Sequence, residues 1–290
     1  MTRAKQTQGK GRVLAFLLSV LLAIGSLVTG VHASGIPFPE GSAPVRIVLD
    51  GKEILTDEAM IYGSVTYVPL RKFSELAGAD SITWNASTAT ATVKKGSTEI
   101  YVTDGYYYVV ASGRYFYTVM PILNLNGRLY VPIRALAKTL CMDLRWDGES
   151  RSVFLSSTDA ELIPASEYYS ENDLYWLSRI ISAESGGESL YGQIAVGNVV
   201  LNRVRHKQYP STVYGVIFDR VGGIQFTPVA NGTVHKTPTS RSVIAAKICL
   251  EGYSISEEIL FFMNPRIATS NWISKNRPFA FRIGNHDFYF

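Results

Sequence analysis

Tyr67-Val68-Pro69-Leu70-Arg71 recurs further along the chain as Tyr130-Val131-Pro132-Ile133-Arg134. The likeness extends beyond the five residues. Residues 72–77 and 135–140 are matching helical patterns, Trp84-Asn85 returns as Trp146-Asp147, and Ala91-Thr92-Val93 returns as Val153-Phe154-Leu155. A repeated unit limits the topologies open to a chain, because one supersecondary element must be used twice. Here each unit predicts a strand feeding a short helix, whose apolar face covers a small sheet, with the Trp anchoring the return strand. Two such halves can share one core.

Other strands are expected around the repeat. Residues 45–49 are apolar and β-branched and end at Asp50-Gly51, a hairpin-turn dipeptide. Residues 82–84 and 89–93 also read as strands. Between the halves, residues 100–117 hold Tyr101, Tyr106, Tyr107, Tyr108, Tyr115, Phe116 and Tyr117. Aromatics of this kind pack across sheets, and they can also stack on sugar rings. With its paired Tyr-Val-Pro-Leu/Ile-Arg motifs and paired tryptophans, the segment 45–155 resembles the copper amine oxidase N-terminal-like domain family. That resemblance implies an accessory module binding wall or ligand. It does not bring copper with it, since the segment has no His and one Cys.

Residues 156–171 are polar, include Pro164, and read as an inter-domain linker. Helical periodicity follows from Asn172, which is placed to cap a helix with Asp173 in its first turn. Leu174, Leu177, Ile181 and Glu184 fall on one helical face, and Gly186-Gly187 ends the helix. Glu184 therefore sits last in an apolar stripe at the negative end of the helix dipole. Desolvation and the dipole both favour its protonated form. A carboxyl protonated near neutral pH is suited to general-acid work on a glycosidic bond. A frayed helix end with a solvated Glu184 is the competing expectation. A second helix is expected over residues 191–204, capped by Ser189. Its Asn198 and Asn202 share one face, there to bind either a loop backbone or substrate.

A second resemblance covers residues 172–290. It is carried by Ala183-Glu184-Ser185-Gly186-Gly187-Glu188, residues 191–196, Val200-Leu201-Asn202-Arg203-Val204, Tyr209-Pro210 with residues 213–217, residues 225–232, 245–247, 250–252, 261–265, 283–286, and Phe288-Tyr289. This pattern resembles the cell-wall hydrolase family that includes the spore cortex-lytic (SleB-like) enzymes. The resemblance implies a mainly helical fold like lysozyme and the lytic transglycosylases. It also implies cleavage of peptidoglycan between N-acetylmuramic acid and N-acetylglucosamine, with Glu184 as the catalytic residue. Expected substrate contacts are Glu188, Tyr191, Gln225, Phe226, Thr227, Asn264 and His286, each of which can equally serve packing.

Several classes are disfavoured by what the sequence lacks. His206, His235 and His286 have no metal-ligand spacing, and there is no His-Glu-x-x-His or Gly-x-Ser-x-Gly motif. No metal and no cofactor is expected. Cys141 and Cys249 read as small buried hydrophobes rather than a disulfide pair.

The first 33 residues predict a secretory signal peptide. Arg3, Lys5, Lys10 and Arg12 precede an apolar run over residues 13–28 and a Val31-His32-Ala33 exit. An uncleaved anchor is the alternative, and the sole route to membrane contact. Removing those four basic residues from the 28 in the chain leaves 24, equal to the 24 acids. A balanced remainder gives no reason to expect nucleic acid, and no protein partner is identifiable. The expectation is an exported α+β protein: a signal peptide (1–33), a duplicated strand-helix accessory domain (45–155), a linker (156–171), and a mainly α catalytic domain (172–290). It would act by lytic transglycosylation, with spore cortex lysis during germination as the candidate setting. Muramidase-type hydrolysis and a non-catalytic wall-binding or spore-assembly role are the alternatives.

Overall fold

A computed structural model describes residues 38–290. The expected signal segment lies outside the described residues. No helix among those described is long and apolar enough to cross a membrane.

The first half is built of strands with two short helices. In order these are β1 (Ala43–Leu49), β2 (Lys52–Tyr62), β3 (Val65–Pro69), α1 (Leu70–Leu76), β4 (Ser81–Asn85), β5 (Thr90–Lys95), β6 (Thr98–Thr103), β7 (Tyr108–Ala111), β8 (Arg114–Tyr117), β9 (Leu123–Leu125), β10 (Arg128–Pro132), α2 (Ile133–Thr139), β11 (Asp143–Asp147) and β12 (Ser152–Ser156). Asp50 and Gly51 both take positive φ, 50° and 78°, and join β1 to β2 in a tight hairpin.

The repeat acquires a geometric meaning. β3 and β10 pair antiparallel with Val68 opposite Val131, Tyr67 opposite Pro132 and Pro69 opposite Tyr130. Each motif thus reads the other backwards about a local two-fold axis. In both copies the Pro is the residue immediately before the helix. Its missing N–H ends the ladder there, and no helical hydrogen bond is lost. Val68, Phe73, Val131 and Leu136, two from each copy, are buried in one core.

The symmetry breaks after the helices. β11 and β12 join β1 in a seven-stranded sheet ordered β11-β12-β1-β2-β3-β10-β9, whereas β4 and β5 leave to form a five-stranded sheet ordered β4-β5-β6-β7-β8. This corrects the expected anchoring role of the tryptophans. β4 and β11 are edge strands of their sheets, so Trp84 and Trp146 lie 47% and 40% exposed.

The second half comprises α3 (Ala165–Tyr168), α4 (Glu171–Ser185), α5 (Leu190–Arg205), α6 (Val213–Ile217), α7 (Thr227–Ala230), a 3-10 turn at Thr233–His235, α8 (Ser240–Leu250), β13 (Phe261–Met263), α9 (Trp272–Asn276), β14 (Phe279–Ile283) and β15 (His286–Tyr289). Leu177, Ile180 and Ile181 of α4 meet Ile194 and Val200 of α5 and Ala245, Ile248 and Cys249 of α8 in a second core. Burial of each large aliphatic side chain contributes about 1.5–3 kcal/mol. The chain ends in a three-stranded antiparallel sheet, β13-β15-β14, which helical periodicity does not announce. It packs through Phe288 on Ala195, Val196 and Val199 of α5.

Two details differ from expectation in the polar segment between the halves. The α4 N-cap is Ser170, not Asn172, because the Ser170 hydroxyl accepts from the Asp173 N–H at 3.3 Å. The segment is also not a free tether. Ala165 N–H donates to Ser112 O at 2.9 Å, and Tyr169 is buried. Tyr108, Tyr115 and Tyr117, from the aromatic stretch, pack against the helical core. Tyr117 lies 4.4 Å from Tyr253, centroid to centroid. The two halves therefore meet along β8 and α8.

Candidate active site

Glu184 lies in the last turn of α4, where Ser185 precedes Gly186 and the helix stops. Leu177 and Ile181 below it on the same face are fully buried, while Glu184 itself is half-buried. Among the described residues its carboxyl has no hydrogen-bond or ion-pair partner. Burial pushes its pKa up to about 7, against the pull of the Arg203 charge. The helix C-terminus acts in the same direction as burial. An unpaired carboxyl that burial keeps partly protonated at neutral pH has the properties of a general acid.

Arg203, on α5, is the companion that sequence reasoning passed over. It is 5% exposed and donates from Nε to Leu260 O at 2.8 Å. The rings of Tyr209, Phe226 and Phe261 surround it at 5.1, 5.3 and 5.4 Å. Its Nη1 is buried without a hydrogen-bond partner. The available signal was a basic residue immediately after Asn202 in a helix otherwise made for burial. Asn198 and Asn202 themselves bind loop backbone. Asn198 donates to Tyr253 O and accepts from Ile255 N–H, and Asn202 donates to Ser256 O and Ile259 O.

Of the other expected contacts, Glu188 and His286 come together, Phe226 packs beside Arg203, and the rest serve local structure. Glu188 is turned to the β14–β15 connection, where it accepts from Asn285 Nδ2 at 2.8 Å and from Asn285 N–H at 3.4 Å. His286 Nδ1 lies 3.7 Å from the same carboxylate and has no hydrogen bond of its own. Burial lowers the pKa of this imidazole despite the neighbouring Glu188. Phe226 is 2% exposed and packs beside Phe262 and Arg203, so it has no open face for a sugar, contrary to expectation. Gln225 donates to Val221 O and Gly223 O and so shapes its own loop. Thr227 is exposed at the start of α7. Asn264 is half-buried and accepts from Arg266 N–H in a local turn. Tyr191 is exposed and stands near Tyr253 and Tyr117, at the seam between the halves.

Neither cysteine is in a disulfide. Cys249 is buried, but Cys141 is only partly so and takes a positive φ of 51°, a turn residue rather than a core one. No group of three His, Cys, Asp or Glu is placed to hold a metal among the described residues. His206 lies against Tyr209 and His235 against Trp176.

Comparison with known proteins adds to this geometry. Residues 187–289 match the family model described as Cell Wall Hydrolase, and residues 48–155 match that of the copper amine oxidase N-terminal domain. Glu184 stands just ahead of the first of these segments. The second segment lacks His and has one Cys, which does not fit a copper site. The chain is 39% identical over 120 residues to a spore cortex-lytic enzyme of Bacillus cereus, covering 41% of this chain and 45% of that protein. A spore cortex-lytic enzyme of Bacillus subtilis is 38% identical over 120 residues, covering 41% of this chain and 38% of that protein. The chain thus spans less than half the length of these relatives. Among solved structures, the catalytic domain of the germination-specific lytic transglycosylase SleB from Bacillus anthracis is 38% identical, with a TM-score of 0.39, covering 44% of this chain and all of that one. Residues 187–289 belong to the cell wall hydrolase family, carried in this chain behind a domain of the copper amine oxidase N-terminal family.

Proposed function

We propose that this protein cleaves the glycan strands of peptidoglycan at the bond between N-acetylmuramic acid and N-acetylglucosamine, by lytic transglycosylation. The observation that carries the reading is the unpartnered, half-buried Glu184 carboxyl with its pKa near 7. Its proton goes to the glycosidic oxygen as the bond to muramyl C1 breaks. The resulting carboxylate then takes the proton of the muramyl C6 hydroxyl, whose oxygen closes on C1. The product is a 1,6-anhydro ring, and Glu184 ends protonated as it began. This route needs one carboxyl. A two-carboxylate glycosidase needs a second within about 5–10 Å, free to act, and Glu188, the nearest acid in sequence, is held by Asn285. The names of the relatives point to spore cortex as the form of the wall, and the basic-apolar leader fits action outside the cytoplasm.

Digestion of purified spore cortex and of vegetative peptidoglycan, read by mass, tests the proposal. The expected products are anhydro-muramyl ends, absent with Glu184→Gln. Reducing muramyl ends would instead establish hydrolysis. Binding of the polymer with no soluble fragment released would leave a wall-binding or spore-assembly protein.

A further inference from the structure

The broken symmetry of the first half leaves a groove. Where β4 and β5 depart to their own sheet, a space of about 550 Å³ opens between them, α1 and the start of β10. That size falls in the range of small-molecule sites, roughly 300–1,000 Å³.

Its lining is chemically uneven. Trp84 contributes an exposed indole that has no ring or cation partner among the described residues. Lys72 is paired with Glu58, and Arg71 with Glu75 at 3.7 Å. Arg128 lines the same groove, is exposed, and has no carboxylate partner among the described residues. Tyr130, two residues on and on the same face of β10, is buried with its hydroxyl lacking any hydrogen bond. That hydroxyl lies near enough to Arg128 and Glu58 for their charges to act on it.

We propose that this groove is a carbohydrate-binding site, taking a sugar ring on the Trp84 face and a carboxylate of the same glycan on Arg128. A flat aromatic surface offers a sugar ring its apolar face. An uncompensated guanidinium matches a carboxylate in planar, two-pronged geometry. The paired side chains Glu58–Lys72 supply acceptors and donors at the rim for hydroxyl groups. A free muramyl unit presents both features at once, a pyranose ring and a lactyl carboxylate; in the intact polymer that carboxyl is amide-linked to the peptide stem, whose terminal carboxylate takes its place on Arg128. Its choice over another acidic sugar rests on the peptidoglycan reading above. The groove lies in the first half, away from Glu184, so it would hold the polymer while the helical half acts on it.

The test is calorimetric titration of the full-length protein carrying Glu184→Gln, which silences turnover. The probes are N-acetylglucosaminyl-N-acetylmuramic acid and the neutral disaccharide of two N-acetylglucosamines. Trp84→Ala should weaken binding of both at least ten-fold, and Trp84→Phe should restore most of it, which separates lost stacking from lost fold. Arg128→Gln should weaken the acidic disaccharide about ten-fold and leave the neutral one unchanged. Binding unaltered by Trp84→Ala overturns the proposal, as does an Arg128→Gln effect that is the same for both sugars. A sugar-free wall peptide that binds in a Trp84-dependent way overturns it too. Fragment release from insoluble peptidoglycan by the otherwise native chain is measured in parallel. Binding without release sinks the catalytic reading and leaves the groove standing; release with no Trp84-dependent binding does the reverse.

Discussion

Glu251 at the end of α8 lies buried beneath Arg114 of β8, accepting from its Nε at 2.9 Å and also from its Nη2. The two residues come from opposite halves of the chain. Tyr169 adds a third donor at 2.9 Å, and the guanidinium lies 3.5 Å from the centre of the Tyr168 ring. This cluster ties β8, α8 and the intervening segment into one unit.

Removing one partner should be far worse than removing both. Arg114→Ala leaves a buried carboxylate facing one tyrosine, and the expected loss is about 3–5 kcal/mol. The double substitution Arg114→Met with Glu251→Leu should recover most of it, because two desolvated charges are exchanged for apolar contact. Urea denaturation of the two single variants and the double variant measures the cycle. A double variant as unstable as the worse single one would show that the pair itself contributes the stability.

Glu184 should reveal itself through pH. Its folded pKa, near 7, is raised above the ordinary 4.5, so the folded state binds the extra proton between these values. Stability should therefore fall as pH rises from about 4.5 to 7 and level off above, by at most ~3 kcal/mol. Glu184→Gln should abolish that slope. Cleavage needs the protonated form and should decline above about pH 7. The same variant should lose at least about 10²–10⁴-fold in rate, the usual contribution of a general acid. Denaturation midpoints and fragment release, both followed from pH 4 to 9, check the pair.

Glu188 is expected to act on structure rather than chemistry. Gly284 has φ of 56°, and a Cβ there would land on the Glu188 carboxylate. Gly284→Ala should cost about 2–3 kcal/mol from left-handed strain and the collision. Adding Glu188→Ala should relieve the collision part. Glu188→Gln alone, which keeps one acceptor for Asn285, should cost about 1 kcal/mol and leave turnover within about ten-fold of the wild type, against the much larger loss for Glu184→Gln. Thermal melts beside a rate assay separate the two carboxylates.

Gly197 of α5 sits tightly against α4 and α8. A Cβ on it would lie 2.7 Å from Cys249 Sγ and 2.8 Å from Ile181 Cδ1. Gly197→Ala should destabilise by about 1–3 kcal/mol through overpacking. Cys249→Ala in the same chain should return part of that by vacating the sulfur's space. A double variant no more stable than Gly197→Ala alone would place the strain on Ile181 instead.

The sequence by itself determined features whose causes are local. The repeated Tyr-Val-Pro motif contains its own strand and its own stop, Asp50-Gly51 its own turn, and Ser189 its own cap, accepting from Gly192 N–H at 3.2 Å. The stripe from Leu174 to Glu184 lies on one helix face by period alone, so the position of the carboxyl was legible before any fold was known. Tertiary structure decided what those faces meet. Trp84 and Trp146 are exposed because β4 and β11 became sheet edges, and Phe226 is buried because Arg203 and Phe262 close over it. Glu188 was taken up by a turn far away in sequence, and the tyrosines of β7 and β8 found the helical core. Period and propensity describe one segment at a time; burial, and with it the raised pKa of Glu184 and the open groove at Trp84, depends on which distant segments pack against it.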